Sequence, residues 1–275
     1  MNTKKIRVLL GLIAVLVAGN GVVVAQMASM PPALRAAVAS GNNDAIAAAI
    51  GTLSGGDPAT QAALYEQVLS AAQEMFATNP AAASGLVRQV LAAAEGMVEN
   101  NADLAVRIAS QAVVVIDTAS VRAAATGSTP VAENLLASSV SAAKIAASPK
   151  SQAVNPSASL AIATSAATVA STPAVANTDP AAAVQVVSSA TAVATSEAVT
   201  ENVPPAEQTA AATGINNAAN ELQDNDTVQD QVPNLPEQLP TVTPPQPPPP
   251  PPLPELQPTP EPSPTPTPTP TPYQA

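Results

Sequence analysis

The sequence predicts an all-α protein: short, alanine-rich, antiparallel helices in a repeat array or irregular bundle, about 22–24 residues per helix unit, followed by a disordered Pro-rich tail. Three observations predict it. Apolar residues recur at helical spacing and keep the same phase when the chain is shifted by 22 residues. Asp-Pro, Asn-Pro and Thr-Pro pairs precede the apolar runs. The composition then changes, with 20 of the 31 prolines lying between Pro233 and Pro272.

The helical phase is clearest in "NPAAASGLVRQVLAAAEGM", Asn79 to Met97. At about 100° per residue, Leu86, Val87, Val90, Leu91, Ala94, Met97 and Val98 fall within an arc of about 140°, with Arg88, Glu95 and Glu99 opposite. Twenty-two residues earlier, Leu64, Tyr65, Val68, Leu69, Ala72, Met75 and Phe76 draw the same stripe, and residues 57–78 and 79–100 are identical at nine of 22 positions. A repeated unit with one apolar stripe cannot bury it alone, so stacked neighbours are expected. Gln67, Gln89 and Gln111 continue the spacing and are expected to form a row of inter-repeat hydrogen bonds.

The punctuation places the ends. Asp57-Pro58, Asn79-Pro80, Thr129-Pro130, Asn155-Pro156 and Asp179-Pro180 each put a capping side chain before a proline suited to the first helical turn. Proline also forces the preceding residue out of helix, which ends the previous element. Helices are therefore predicted near 32–39, 43–50, 58–77, 80–98, 102–125, 130–147, 157–171, 180–197 and 205–222. Short connections make successive helices antiparallel.

Four segments follow: a signal peptide over 1–25, an alanine-rich helical repeat region over 26–150, weaker Ala/Ser/Thr/Val repeats over 151–222, and a disordered acidic and proline-rich tail over 223–275. The first has a basic start, an apolar run from Val8 to Ala18, and small residues before a cut at Gln26, with a retained anchor as the alternative. In the third, β-branched Thr and Val lower helix propensity, so disorder or partial strand competes with helix. The tail holds six consecutive prolines at 247–252 and four Thr-Pro pairs at 265–272. Such segments adopt polyproline II and suit a spacer, a ligand for a proline-reading partner, or a glycosylated stalk.

Chemistry-bearing side chains are sparse. Histidine, cysteine and tryptophan are absent, so histidine-based triads, thiol nucleophiles and Cys/His zinc sites are excluded. Glu95, Glu99 and Asp103 line up at every fourth position only if the helix runs through Asn100-Asn101, which the Asn pair argues against. Asp224, Asp226 and Asp230 imitate the start of a calcium loop, yet Val228 and Gln229 stand where an oxygen ligand and glycine are needed. No residue qualifies as catalytic, cofactor-binding or metal-ligating. Tyr65 and Phe76 are assigned to core packing. After the signal the chain carries 6 basic and 20 acidic residues, and none of the basic ones follows Lys150, so nucleic acid and anionic lipid are disfavoured partners.

The expected function is that of a non-enzymatic exported structural or interaction protein of the bacterial cell envelope, needing no cofactor. It would engage a protein or envelope component, without spanning the membrane in its mature form. A secreted or surface-displayed binding protein of the adhesin or antigen type is the alternative. The expected location is the periplasm or the cell surface.

Overall fold

A computed structural model of the chain describes residues 30–245. The signal segment and the proline runs beyond Pro245 lie outside the described residues. Fifteen helices and no strand occur among those described.

Two short helices come first, α1 (Pro32–Ser40) and α2 (Asn43–Ser54). Each ends on a glycine in the left-handed region, Gly41 at φ 63° and Gly55 at φ 57°, where a side chain would be strained. Three longer helices follow: α3 (Pro58–Met75), α4 (Pro80–Met97) and α5 (Ala102–Ile116). Their cap side chains take the predicted amides. Asp57 accepts from the Thr60 N–H at 2.8 Å, Asn79 from Ala82 at 3.2 Å and Asn101 from Leu104 at 3.2 Å. The helix expected over 102–125 is two. The chain bends by 63° at Asp117-Thr118, and α6 (Ala119–Thr126) restarts with Thr118 Oγ1 accepting from the Val121 N–H.

The remaining long helices are α7 (Thr129–Ala147), α9 (Pro156–Ser171), α11 (Pro180–Ala194) and α13 (Pro205–Gln223). Asn155 and Asp179 cap α9 and α11 as predicted. Thr129 does not act as a cap: it is the first helical residue, and Ser128 takes the cap position without a side-chain bond. Short helices α8 (Pro149–Val154), α10 (Pro173–Ala176) and α12 (Glu197–Asn202) connect the long ones. Two of the three begin with the same X-Pro device, at Ser148-Pro149 and Thr172-Pro173.

The long helices form two layers. Helices α3, α5, α9 and α13 pack side by side in one, and α4, α7 and α11 in the other. Ser84 meets Asn134, Glu95 meets Lys144 and Glu99 meets Lys150, at separations of 50, 49 and 51 residues. The partners advance together, so α4 and α7 are parallel. The 22-residue register thus writes one helix, and the unit that stacks is two long helices with their connectors. Short helices α6 and α10 lie together along one edge of the array, and α8 and α12 along another.

Alanine sets the spacing. Helix α9 packs on α5, α7, α11 and α13, and Ala163, Ala166, Ala167 and Ala170 along it are fully buried. With so little side-chain bulk the backbones approach closely, and Ile162, Leu160 and Val169 fill what remains. Residues 151–200 are helical despite their Thr content. Thr164 Oγ1 donates to the Leu160 carbonyl at 2.9 Å and Thr168 Oγ1 to that of Thr164 at 3.0 Å, and Thr191 and Thr195 repeat the pattern. Each hydroxyl is satisfied within its own helix, so buried threonine carries no unpaired polar group.

Glycine has two meanings in these helices. A methyl group on Gly96 would meet nothing within 4 Å, whereas one on Gly214 would come 2.8 Å from Thr164 Cγ2, where α13 lies against α9. Gly96→Ala should therefore stabilise the fold by roughly 0.5–1 kcal/mol through helix propensity. Gly214→Ala should lose that gain to the clash and come out destabilising. Chemical denaturation followed by circular dichroism reads both.

Two further expectations are corrected. The tail does not begin at 223: α14 (Asp226–Gln231) and α15 (Leu235–Gln238) follow α13, and Val228, Val232, Leu235, Leu239 and Val242 are buried. The apolar spacing inside the acidic stretch supports packing as far as Pro245. The glutamine row does not form. Consecutive helices lie in opposite layers, Gln111 is exposed, and Gln67 Oε1 has no hydrogen-bond partner among the described residues. Tyr65 is buried and Phe76, half-buried, packs against the core, as assigned. Among the described residues no single helix is long and apolar enough to cross a membrane. The bent pair α5–α6 passes by length and composition, and its Leu104, Ile108, Val113 and Ile116 are core residues.

Candidate functional site

The acids singled out from the sequence are distributed as helix-surface groups. Glu95 Oε1 lies 3.0 Å from Lys144 Nζ and Glu99 Oε2 lies 2.7 Å from Lys150 Nζ, tying α4 to α7 and to α8. Asp103 lies in the first turn of α5. The break between α4 and α5 falls where Asn100-Asn101 predicted it. Asp224 ends α13, Asp226 opens α14 and Asp230 lies further along it. Among the described residues no three His, Cys, Asp or Glu side chains gather as a metal site would require.

The concave surface lies elsewhere, along the edge where α5, α9 and α13 end. Two clefts there share Asn177. The first, of about 580 Å³, is formed by the α6–α7 turn and α10, with Thr126, Ser128, Thr129, Glu133 and Thr178 supplying its polar wall. The second, of about 530 Å³, lies between α10 and the α13–α14 turn and is lined by Glu221, Asp224, Asn225, Asp226 and Thr227. Glu221 is held in place by the Ser171 hydroxyl, which donates to its Oε2 at 2.6 Å across 50 residues of sequence. Hydroxyls, side-chain amides and carboxylates therefore follow one another along the edge. Such a lining can hydrogen-bond an extended chain and attract a cationic one.

A third depression, of about 560 Å³, runs between α3 and α5. Glu66, Gln73 and Gln111 border it, and Val114 stands 69% exposed on its apolar side. Arg107 Nε reaches Glu66 Oε1 at 3.4 Å across the same two helices. Both side chains are well exposed, so the pair contributes little to stability.

Two acids away from the clefts have raised pKa values. Burial pushes the Glu74 carboxyl up, and its Oε2 is buried without a hydrogen-bond partner among the described residues. Burial also pushes Asp117 above its ordinary 3.8, opposed by a hydrogen bond with Ser165 of α9 and by Arg122 at 3.8 Å. Asp117 stands at the C-terminal end of α5, where the helix dipole also disfavours a negative charge. Because the folded pKa lies above the unfolded one, the folded state holds this proton more tightly. The stabilisation is complete below 3.8 and is lost as pH rises through the folded pKa. Asp117→Asn should therefore stabilise the protein at neutral pH and remove a downward slope of stability with pH on the acid side. Urea midpoints measured across that range read the slope.

The edge is dispersed along the sequence. Its signal was present in the small polar residues after each long helix, but their stacking partners are about 50 positions away. Comparison with protein-family models, with curated proteins and with solved structures finds no match for this chain.

Proposed function

We propose that this chain is a non-enzymatic, exported scaffold of the bacterial cell envelope, whose helical array presents one polar edge to a protein or envelope component. The observation that carries the reading is the stacking of repeats in register, which sets cleft beside cleft along the ends of α5, α9 and α13. A stacked array gains binding surface by repetition, and loops on one edge are where such proteins engage partners. The acidic lining around Glu221, Asp224 and Asp226 favours a cationic or amide-rich partner. The basic start and apolar run before Gln26 support export, and the Thr-Pro and poly-Pro runs support a spacer.

Two measurements test it. A photo-crosslinking side chain placed at Asn177 should give a discrete adduct in intact cells, whereas the same group outside the two edge clefts, at Gln111 between α3 and α5, should not. Equal labelling from both positions would overturn the edge as a docking surface. The exported chain should begin at Gln26, and a cytosolic chain retaining Met1 would overturn the envelope assignment. Protease applied to intact cells separates the alternatives: it trims a surface-displayed tail and spares a periplasmic one.

A further inference from the structure

The end of the described chain is held unusually. Asn216 of α13 grips the backbone of Val242 in both directions: its Oδ1 accepts from the Val242 N–H at 2.9 Å, and its Nδ2 donates to the Val242 carbonyl at 3.0 Å. A side-chain amide that reads both main-chain groups recognises an extended backbone whatever its side chains. Around this grip burial recurs every third residue. Leu239 and Val242 are buried and Pro245 is half-buried, while Pro240, Thr241, Thr243 and Pro244 are exposed. Three residues per turn is the period of polyproline II, which places residues i and i+3 on one side. Helices α14 and α15 pack against α11, beside this strap, on the side where a further second-layer helix would otherwise stack.

The gripped stretch reads Leu239-Pro-Thr-Val242-Thr-Pro244. The same pattern recurs once more, as Leu253-Pro-Glu-Leu256-Gln-Pro258. Leu253 and Leu256 are the only Leu, Val, Ile or Met residues between positions 246 and 275, and they fall at the same i, i+3 spacing. Neither proline-richness nor a spacer role calls for two large aliphatic residues at that spacing.

We propose that the surface around Asn216 is a receptor slot for Leu-Pro-x-(Val/Leu)-x-Pro segments, filled in the single chain by 239–244 and able to take Leu253–Pro258 of a second copy. The tail then links one array to another. The tethered segment competes at an effective concentration on the order of millimolar, so the slot is closed in an isolated chain and opens when that segment is displaced.

The test uses the full chain and a fluorescent peptide covering residues 251–260, with anisotropy as the readout. In a chain carrying Leu239→Asp, Val242→Asp, Leu253→Asp and Leu256→Asp, neither internal segment can fill the slot. This chain should bind the peptide at least about tenfold more tightly than the unmodified one, given the loss of the tethered competitor. Adding Asn216→Ala should cost about tenfold, the loss of a two-point hydrogen bond. A peptide with aspartate at positions 253 and 256 should not bind. If the aspartates at 239 and 242 reduce the helical signal, Val242→Pro replaces them, since it deletes only the gripped N–H and suits polyproline II. Failure of a folded, released chain to bind, or binding indifferent to Asn216 or to the two leucines, overturns the proposal.

Discussion

Ile162→Ala is expected to lower the unfolding free energy by about 3 kcal/mol, within the 2–5 kcal/mol range for emptying a fully buried aliphatic site. Ile162 lies in the middle of α9 with no exposed surface. Its helix is packed on α5, α7, α11 and α13, more long neighbours than most helices of the array have. Large-to-small changes cost most where the surroundings cannot collapse into the gap, and a helix fixed on several sides is such a place. A shift in the urea midpoint at unchanged m-value would show that stability alone had changed.

The opposite substitution on the same helix should be nearly as damaging. Ala166→Leu adds three heavy atoms at a fully buried position among Ala163, Ala167 and Ala170. Overpacking of this kind costs about 1–3 kcal/mol, because side chains leave their rotamers or backbones move apart. Ala161, on the exposed side of α9, provides the comparison. Ala161→Leu should stay within about 0.5 kcal/mol of the parent. A large difference between the two leucines would show that alanine is a spacing device here.

Much of this architecture could be read from the residues. Asp57, Asn79, Asn155 and Asp179 are local signals, because a cap and a following proline act on amides within one turn. The stripes Leu86–Val90–Leu91 and Leu64–Val68–Leu69 are likewise local, fixed by 3.6 residues per turn. What could not be read was long-range. Nothing in the 22-residue register says that α4 packs in parallel with α7 rather than serving only its sequence neighbours. For this reason the 22-residue spacing of Gln67, Gln89 and Gln111 does not bring them into line, and the cleft residues around Asn177 and Glu221 carry no local signal of their meeting. The bend at Asp117-Thr118 is marked in the sequence by Thr118 alone, a cap with no following proline. In the stretch from Asp226 to Pro245 the acidic and proline content reads as tail, while the spacing of Val228, Val232, Leu235, Leu239 and Val242 packs it. The Thr-rich half is helical as expected despite low propensity, since hydroxyls bonded to the preceding turn remove the polar penalty that low propensity partly reflects.

Long helices about 50 residues apart stack side by side. The chain has no cysteine, so an introduced pair has no competitor. Ser84 Oγ and Asn134 Nδ2 lie 3.2 Å apart across α4 and α7. In the Ser84→Cys/Asn134→Cys chain, mild oxidation is expected to form an intramolecular disulfide, seen as the loss of both free thiols in a monomer of unchanged helical content. Two thiols that stay free in a fully helical monomer would contradict the stacking.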